Sequence, residues 1–144
     1  MNITAEDLLA LADYLDLRGL HTGKELAHND GTNIRLDICA AAYVVAEETV
    51  VPVVFFTDEC ASLDLIEASD RAMAAIRAIS HALDTAPCDT NGGPDYIEHV
   101  SNWAATPPIG ATQPPTTSEV IGRILRAADS IAHDHTLPPH HHAA

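Results

Sequence analysis

Three cysteines and nine histidines are the residues of this 144-residue chain with the most direct route to nucleophilic or metal chemistry. Cys39 stands where Asp37-Ile38-Cys39 predicts the first turn of a helix, and the free backbone N–H groups there favour a thiolate. Its neighbours Ile38 and Ala40 to Ala42 are apolar, so a buried thiol behaving as a small hydrophobe is the expectation. Cys60 follows Asp58 and Glu59, whose charges oppose ionisation, and Cys88 falls in a loop. An odd number of widely spaced cysteines suggests neither a disulfide framework nor a metal knuckle, and reduced thiols are expected.

His133 and His135 are two residues apart and share a face only where a helix has ended. His140, His141 and His142 would bind nickel or zinc loosely in any flexible tail, so no metal site and no cofactor are expected. Glu6 to Asp16 and Asp58 to Asp70 supply many carboxylates, but acid–base chemistry needs two held in different environments, and most of these fall at caps or on polar faces. Gly92-Gly93 lacks the Lys-Ser or Lys-Thr ending of a phosphate cradle. Asp95, His99 and Ser101 are near in sequence, yet His99 and Ser101 point different ways on a helix, which disfavours a triad. His81, four after Arg77 and three before Asp84, has the spacing of an exposed helix face. Trp103, the one tryptophan, is expected to fill the core of a chain that is only 4% aromatic. No residue is assigned a catalytic role.

The charge is lopsided, with 21 Asp and Glu against 7 Lys and Arg. A net charge of -14 argues against direct contact with nucleic acid phosphates and points to a basic protein or cations as partners. No Lys or Arg lies between Arg35 and Arg71, a stretch that carries eight acids from Asp37 to Asp70. Its plain reading is a solvated acidic face. The N-terminus lacks the basic start and apolar stretch of a secretory signal, which suggests a cytoplasmic setting. The strongest apolar run, Val50 to Phe56, contains Pro52 and is far short of the ~20 residues that span a bilayer, so no membrane partner is expected.

A chain this long can bury roughly 68% of its unfolded surface and needs no metal or disulfide to fold. Thr4 as cap, Ile3 against Leu8, and the stripe Leu8, Leu11, Ala12 and Leu15 predict a first helix that stops at Gly19. Asn29-Asp30-Gly31 predicts a turn between strands Lys24–Ala27 and Thr32–Leu36. Asp37 caps a helix to about Glu48, and Thr49 to Thr57 reads as a strand held to a sheet edge by Pro52. A long helix starting between Ser62 and Ser69 runs to about Leu83, then a loop from Thr85 to Pro94 and a short helix from Asp95 to Trp103. Ala104 to Pro115 holds four prolines and reads as a surface strap. Thr116 and Glu119 form a capping box for a last helix with Val120, Ile121, Ile124, Leu125, Ala128 and Ile131 on its apolar side.

Leu17-Arg18-Gly19-Leu20 after a leucine-rich helix, Cys39-Ala40-Ala41-Ala42-Tyr43, and Asn102-Trp103 followed by Thr116-Thr117-Ser118-Glu119-Val120 together resemble a family of small actinobacterial and actinobacteriophage proteins of unknown function. The chain departs from that pattern in lacking a glycine in its cysteine-alanine helix, in a long spacer after Trp103, and over Thr49 to Thr57. The resemblance implies a compact, helix-rich fold and carries no activity.

The expected fold is mostly α, a bundle of four to five helices with room for a short β-hairpin or small edge sheet (α+β), in one domain over residues 1–135 with a Pro- and His-rich tail over 136–144. The expected role is that of an interaction or accessory protein rather than an enzyme, its acidic surface and strap engaging a basic partner, in one form as an acidic mimic of DNA. The competing expectations are an active site around Cys39 or clustered carboxylates that no signature announces, and a homo-oligomer paired through Val50 to Phe56.

Overall fold

The computed structural model describes residues 2–136, which form seven helices and two small antiparallel sheets. The expected tail beyond Thr136, with His140 to His142, lies outside the described residues. Helix α1 (Ile3–Arg18) buries Leu8, Leu11, Ala12 and Leu15 as their spacing predicts, and it stops where Gly19, at φ 83°, donates its N–H to the Leu15 carbonyl. The cap is Asn2 rather than Thr4: its side-chain oxygen accepts from the Thr4 and Ala5 N–H groups. Ile3 is therefore inside the helix and 52% exposed, not a staple on Leu8.

Strands β1 (Ala27–Asn29) and β2 (Ile34–Leu36) pair with Ala27 opposite Leu36. The turn is fixed by Asp30, whose carboxylate accepts from Thr32 and Asn33. Asp37 then caps α2 (Ile38–Glu47), and Ile38 to Ala42 are buried without a break. A helix buried on consecutive residues must have neighbours on every side. For α2 these are α1, α5 (Asp70–His81) and α6 (Tyr96–Ala105), with α4 (Glu59–Glu67) and β2 in lesser contact.

The expected strand over Thr49 to Thr57 does not form. Val50 and Val53 are 84% and 74% exposed, Pro52 offers no donor, and Val54–Thr57 closes into the one-turn helix α3, which sends Phe55 into the core edge-on to Tyr43. A strand there would have needed a partner ladder, and neither small sheet pairs with it. The expected long helix starts at the later of its two bounds, as α5 capped by Ser69, and a separate helix that was not anticipated, α4, precedes it. The hydroxyl of Ser69 breaks them by accepting from the Ala72 N–H as the cap of α5, while it donates to Glu47 at 2.5 Å. The expected loop from Thr85 to Pro94 contains a minimal hairpin, β3 (Asp89–Thr90) with β4 (Gly93–Pro94).

Helix α7 (Thr117–Thr136) begins with the expected reciprocal pair: the Thr116 N–H donates to Glu119, and the Glu119 N–H to the Thr116 hydroxyl. It lies along α1, the most extensive helix pairing in the molecule, and buries Val120, Ile124, Ala127 and Ala128. Leu125, expected inside, is 43% exposed, and Ala127 takes its place at the interface. Arg71 clasps α1 to α5 by donating from Nε and Nη2 to the two oxygens of the buried Asp7, at 3.0 and 2.6 Å. Among the described residues no helix is long and apolar enough to cross a membrane.

Two truncations separate core from surface. Leu11→Ala should cost about 2–5 kcal/mol in urea unfolding, whereas Val50→Ala should stay within about 0.5 kcal/mol of wild type. Comparable losses would mean that residues 49–53 are packed in solution.

Candidate functional site

Glu59, Leu63 and Glu67 recur every four residues, so α4 presents them on one face; on α6 the spacing of Glu98, Ser101 and Asn102 does the same. These faces form the two walls of a cleft of about 390 Å³. Leu26 and Ile97 complete an apolar floor with Leu63, and Asp37 and Asp95, the caps of α2 and α6, bring two more carboxylates to the base. With Glu25 on the rim, six carboxylates line the cleft against a single cation, Lys24.

Asp37 is the most constrained of the six. Its Oδ2 accepts from the Cys39 N–H at 2.8 Å and from the Ser101 hydroxyl at 3.0 Å. Burial outweighs these bonds and holds its carboxyl above the usual carboxylate range. No Lys or Arg among the described residues forms an ion pair with it. The Ser101 oxygen also stands 3.3 Å from the Cys39 sulfur, but a hydroxyl has one proton, and the carboxylate is the stronger acceptor. That leaves the Cys39 thiol to donate to the Ile97 carbonyl at 3.7 Å. Burial, and then the Asp37 charge, push this thiol well above its ordinary value. The helix N-terminus that would favour a thiolate is thus overruled by its surroundings, and Cys39 is a packed thiol.

His99 and Ser101 diverge, as their spacing predicts. His99, 7% exposed, turns from the cleft toward α5, where Nδ1 lies 2.6 Å from the Ser80 hydroxyl and Nε2 2.7 Å from that of Thr85. Neutral imidazole satisfies both with one donor and one acceptor. Burial lowers its pKa, outweighing the opposing charge of Glu98. Near the cleft rim, His21 stacks on His28 with ring centroids 5.4 Å apart; burial, then the neighbouring His28, lower its pKa. Gly23 leaves room for the His21 ring in this position, because a Cβ there would stand 2.5 Å from it.

The other residues singled out by sequence lie apart. Cys60 and Cys88 are exposed, His81 is exposed on α5, and Trp103 is half-buried against the core with the Arg123 guanidinium 5.9 Å from its ring centre. Among the described residues no group of three or more His, Cys, Asp and Glu side chains is placed to hold a metal ion, so the cleft carboxylates are too dispersed to chelate one. The Asp37–Ser101 contact joins residues 64 apart in the chain and had no sequence signal. The Glu59–Leu63–Glu67 spacing did carry one. No protein-family model, curated protein or solved structure matches the chain.

Two measurements check this geometry. In the native protein a thiol reagent should label Cys60 and Cys88 rapidly and Cys39 only after denaturation; rapid labelling of all three would refute the packed thiol. The folded pKa of His99 lies below its unfolded value of about 6.5, so the stability this residue provides is complete above that value and declines as pH falls through the folded one. His99→Gln should therefore be less stable than wild type at neutral pH and close that gap in mild acid. A gap that widens on acidification would reverse the sign of the assignment.

Proposed function

We propose that this protein is a non-enzymatic interaction module whose acidic side binds a basic segment of another protein, with the cleft between α4 and α6 receiving a Lys or Arg side chain. The observation that carries the reading is the composition of that cleft, six carboxylates above an apolar floor with Lys24 alone in opposition. A long cationic side chain suits such a place because its methylene stem lies on Leu26, Leu63 and Ile97 while its head meets the acids. Asp37 supplies a charge at the base without a cationic partner of its own among the described residues, so an incoming cation gains more there than on an open acidic surface.

The same charges repel phosphates, which disfavours a nucleic acid in this place. The enzymatic alternative is weakened by the state of its best nucleophile, since the Cys39 thiol is held protonated and its hydrogen-bond partners are structural. Ser101 donates its proton to Asp37 but has no histidine beside it, His99 being committed to Ser80 and Thr85.

Calorimetric titration with a Lys- and Arg-rich peptide tests the proposal. Binding should weaken steeply with added salt. Combined replacement of Glu59, Glu67 and Glu98 by Gln should lower affinity about tenfold or more, equivalent to about 1.4 kcal/mol, whereas Asp13→Asn on the outer face of α1 should change it little. Equal effects at the two places would reduce the interaction to diffuse charge attraction, and absence of binding would remove the reading altogether.

A further inference from the structure

The hairpin β3–β4 turns on Asn91-Gly92, both exposed and both in the left-handed region at φ 54° and 86°. This pair is favoured in two-residue turns because Asn tolerates, and Gly freely adopts, positive φ. It is also the pair most prone to internal attack by the main chain on the asparagine side chain. Glycine has no Cβ to shield its nitrogen, and apart from Gly92 and its two chain neighbours no atom lies within 4 Å of where a Cβ would stand.

The other four asparagines are held. The side-chain oxygen of Asn2 caps α1, that of Asn29 accepts from the Gly31 N–H, and that of Asn102 accepts from the Thr106 hydroxyl, while the Asn33 amide donates to the Arg18 carbonyl at 2.6 Å. Among the described residues the Asn91 side chain has no hydrogen-bond partner, and the Gly92 N–H makes no hydrogen bond to the main chain. Asp30-Gly31, the comparable acidic pair, is protected differently: its carboxylate is engaged by Thr32 and Asn33, and those bonds lower its pKa, keeping it in the ionised form that resists attack.

We infer that Asn91 is a self-modification site, converting to aspartate and isoaspartate with water as the only co-reactant. The Gly92 nitrogen, having lost its proton to solvent base, bonds to the Asn91 side-chain carbonyl carbon. The bond from that carbon to the amide nitrogen breaks, and the nitrogen leaves as ammonia after taking a proton from solvent. Water then opens the cyclic imide at one of its two carbonyls. Opening at the main-chain carbonyl leaves isoaspartate, with one extra carbon in the main chain; opening at the other leaves aspartate. The turn must open for nitrogen and carbonyl to meet, and a hairpin held by only two residue pairs gives little resistance.

Two consequences follow from the position. Either product adds a negative charge to a groove that already holds Glu67, Asp70 and Asp95 beside Arg77. Isoaspartate also lengthens the turn that delivers the chain to Asp95, whose N–H bonds the Cys88 carbonyl at 2.8 Å and whose side chain caps α6.

The folded protein, incubated in mildly alkaline buffer at physiological temperature and mapped by peptide mass spectrometry, should gain one mass unit at Asn91 several-fold faster than at any other asparagine. An isoaspartyl methyltransferase should label the same peptide. Asn91→Gln should abolish that gain and Gly92→Ala should slow it several-fold. Earlier gain at another asparagine, or an undiminished rate in Gly92→Ala, would overturn the assignment. So would an unchanged Asn91 after an incubation that converts a free peptide of the same sequence.

Discussion

Ile38 to Ala42 bury five successive side chains, and a helix can do that only when it is surrounded. Three of the five are alanines, so neighbouring helices approach α2 closely, and the rest of the molecule is arranged by what must cover it. Helices α1, α5 and α6 supply that cover, while α7 closes over α1 from outside. The cost of this arrangement falls at the N-terminus of α2. Its orphan N–H groups need an acceptor, Asp37 provides it, and enclosure of the helix encloses the carboxylate too. The cleft has a charged base because the central helix has to be capped.

What sequence revealed, and what it hid, follows from the range of the forces involved. Capping and helical stripes are local, so Asp37, Gly19 and the Thr116–Glu119 pair were legible, as were the buried faces of α1 and most of α7. Thr49 to Thr57 was misread because Val and Phe favour strands in general, whereas here neither small sheet pairs with the segment and Phe55 alone of its side chains is fully buried. On sequence alone the start of α5 is open between Ser62 and Ser69, and α4 before it was not anticipated. That start is decided by Ser69, which has Glu47 from another helix to hold it. The cleft was not read from sequence: Glu59, Leu63 and Glu67 have a four-residue spacing, but the expected helix began no earlier than Ser62, and the opposite wall and the base come from chain segments far apart.

Charge and packing meet in few places. Of the seven Lys and Arg residues, Arg71 is spent on Asp7, Arg35 reaches Asp30 at 3.7 Å, and Arg123 serves the Ala82 carbonyl, Asp84 and the face of Trp103. Most of the acids therefore face solvent or the cleft without a cationic neighbour. Mutual repulsion among them opposes compaction, and the aliphatic core has to outweigh it.

Arg123 and Trp103 have a further consequence, because they stand on either side of the proline-rich segment 106–116. Their contact, with the guanidinium 5.9 Å from the ring centre, links the end of α6 to the first turns of α7 across that segment, and Ile109 within it is fully exposed. The entropy of closing a loop rises by only about 0.6 kcal/mol per doubling of length. This span is accordingly the natural port for foreign sequence: a peptide tag or a small folded insert placed there would be carried outside the bundle, between two helices whose buried faces it does not touch.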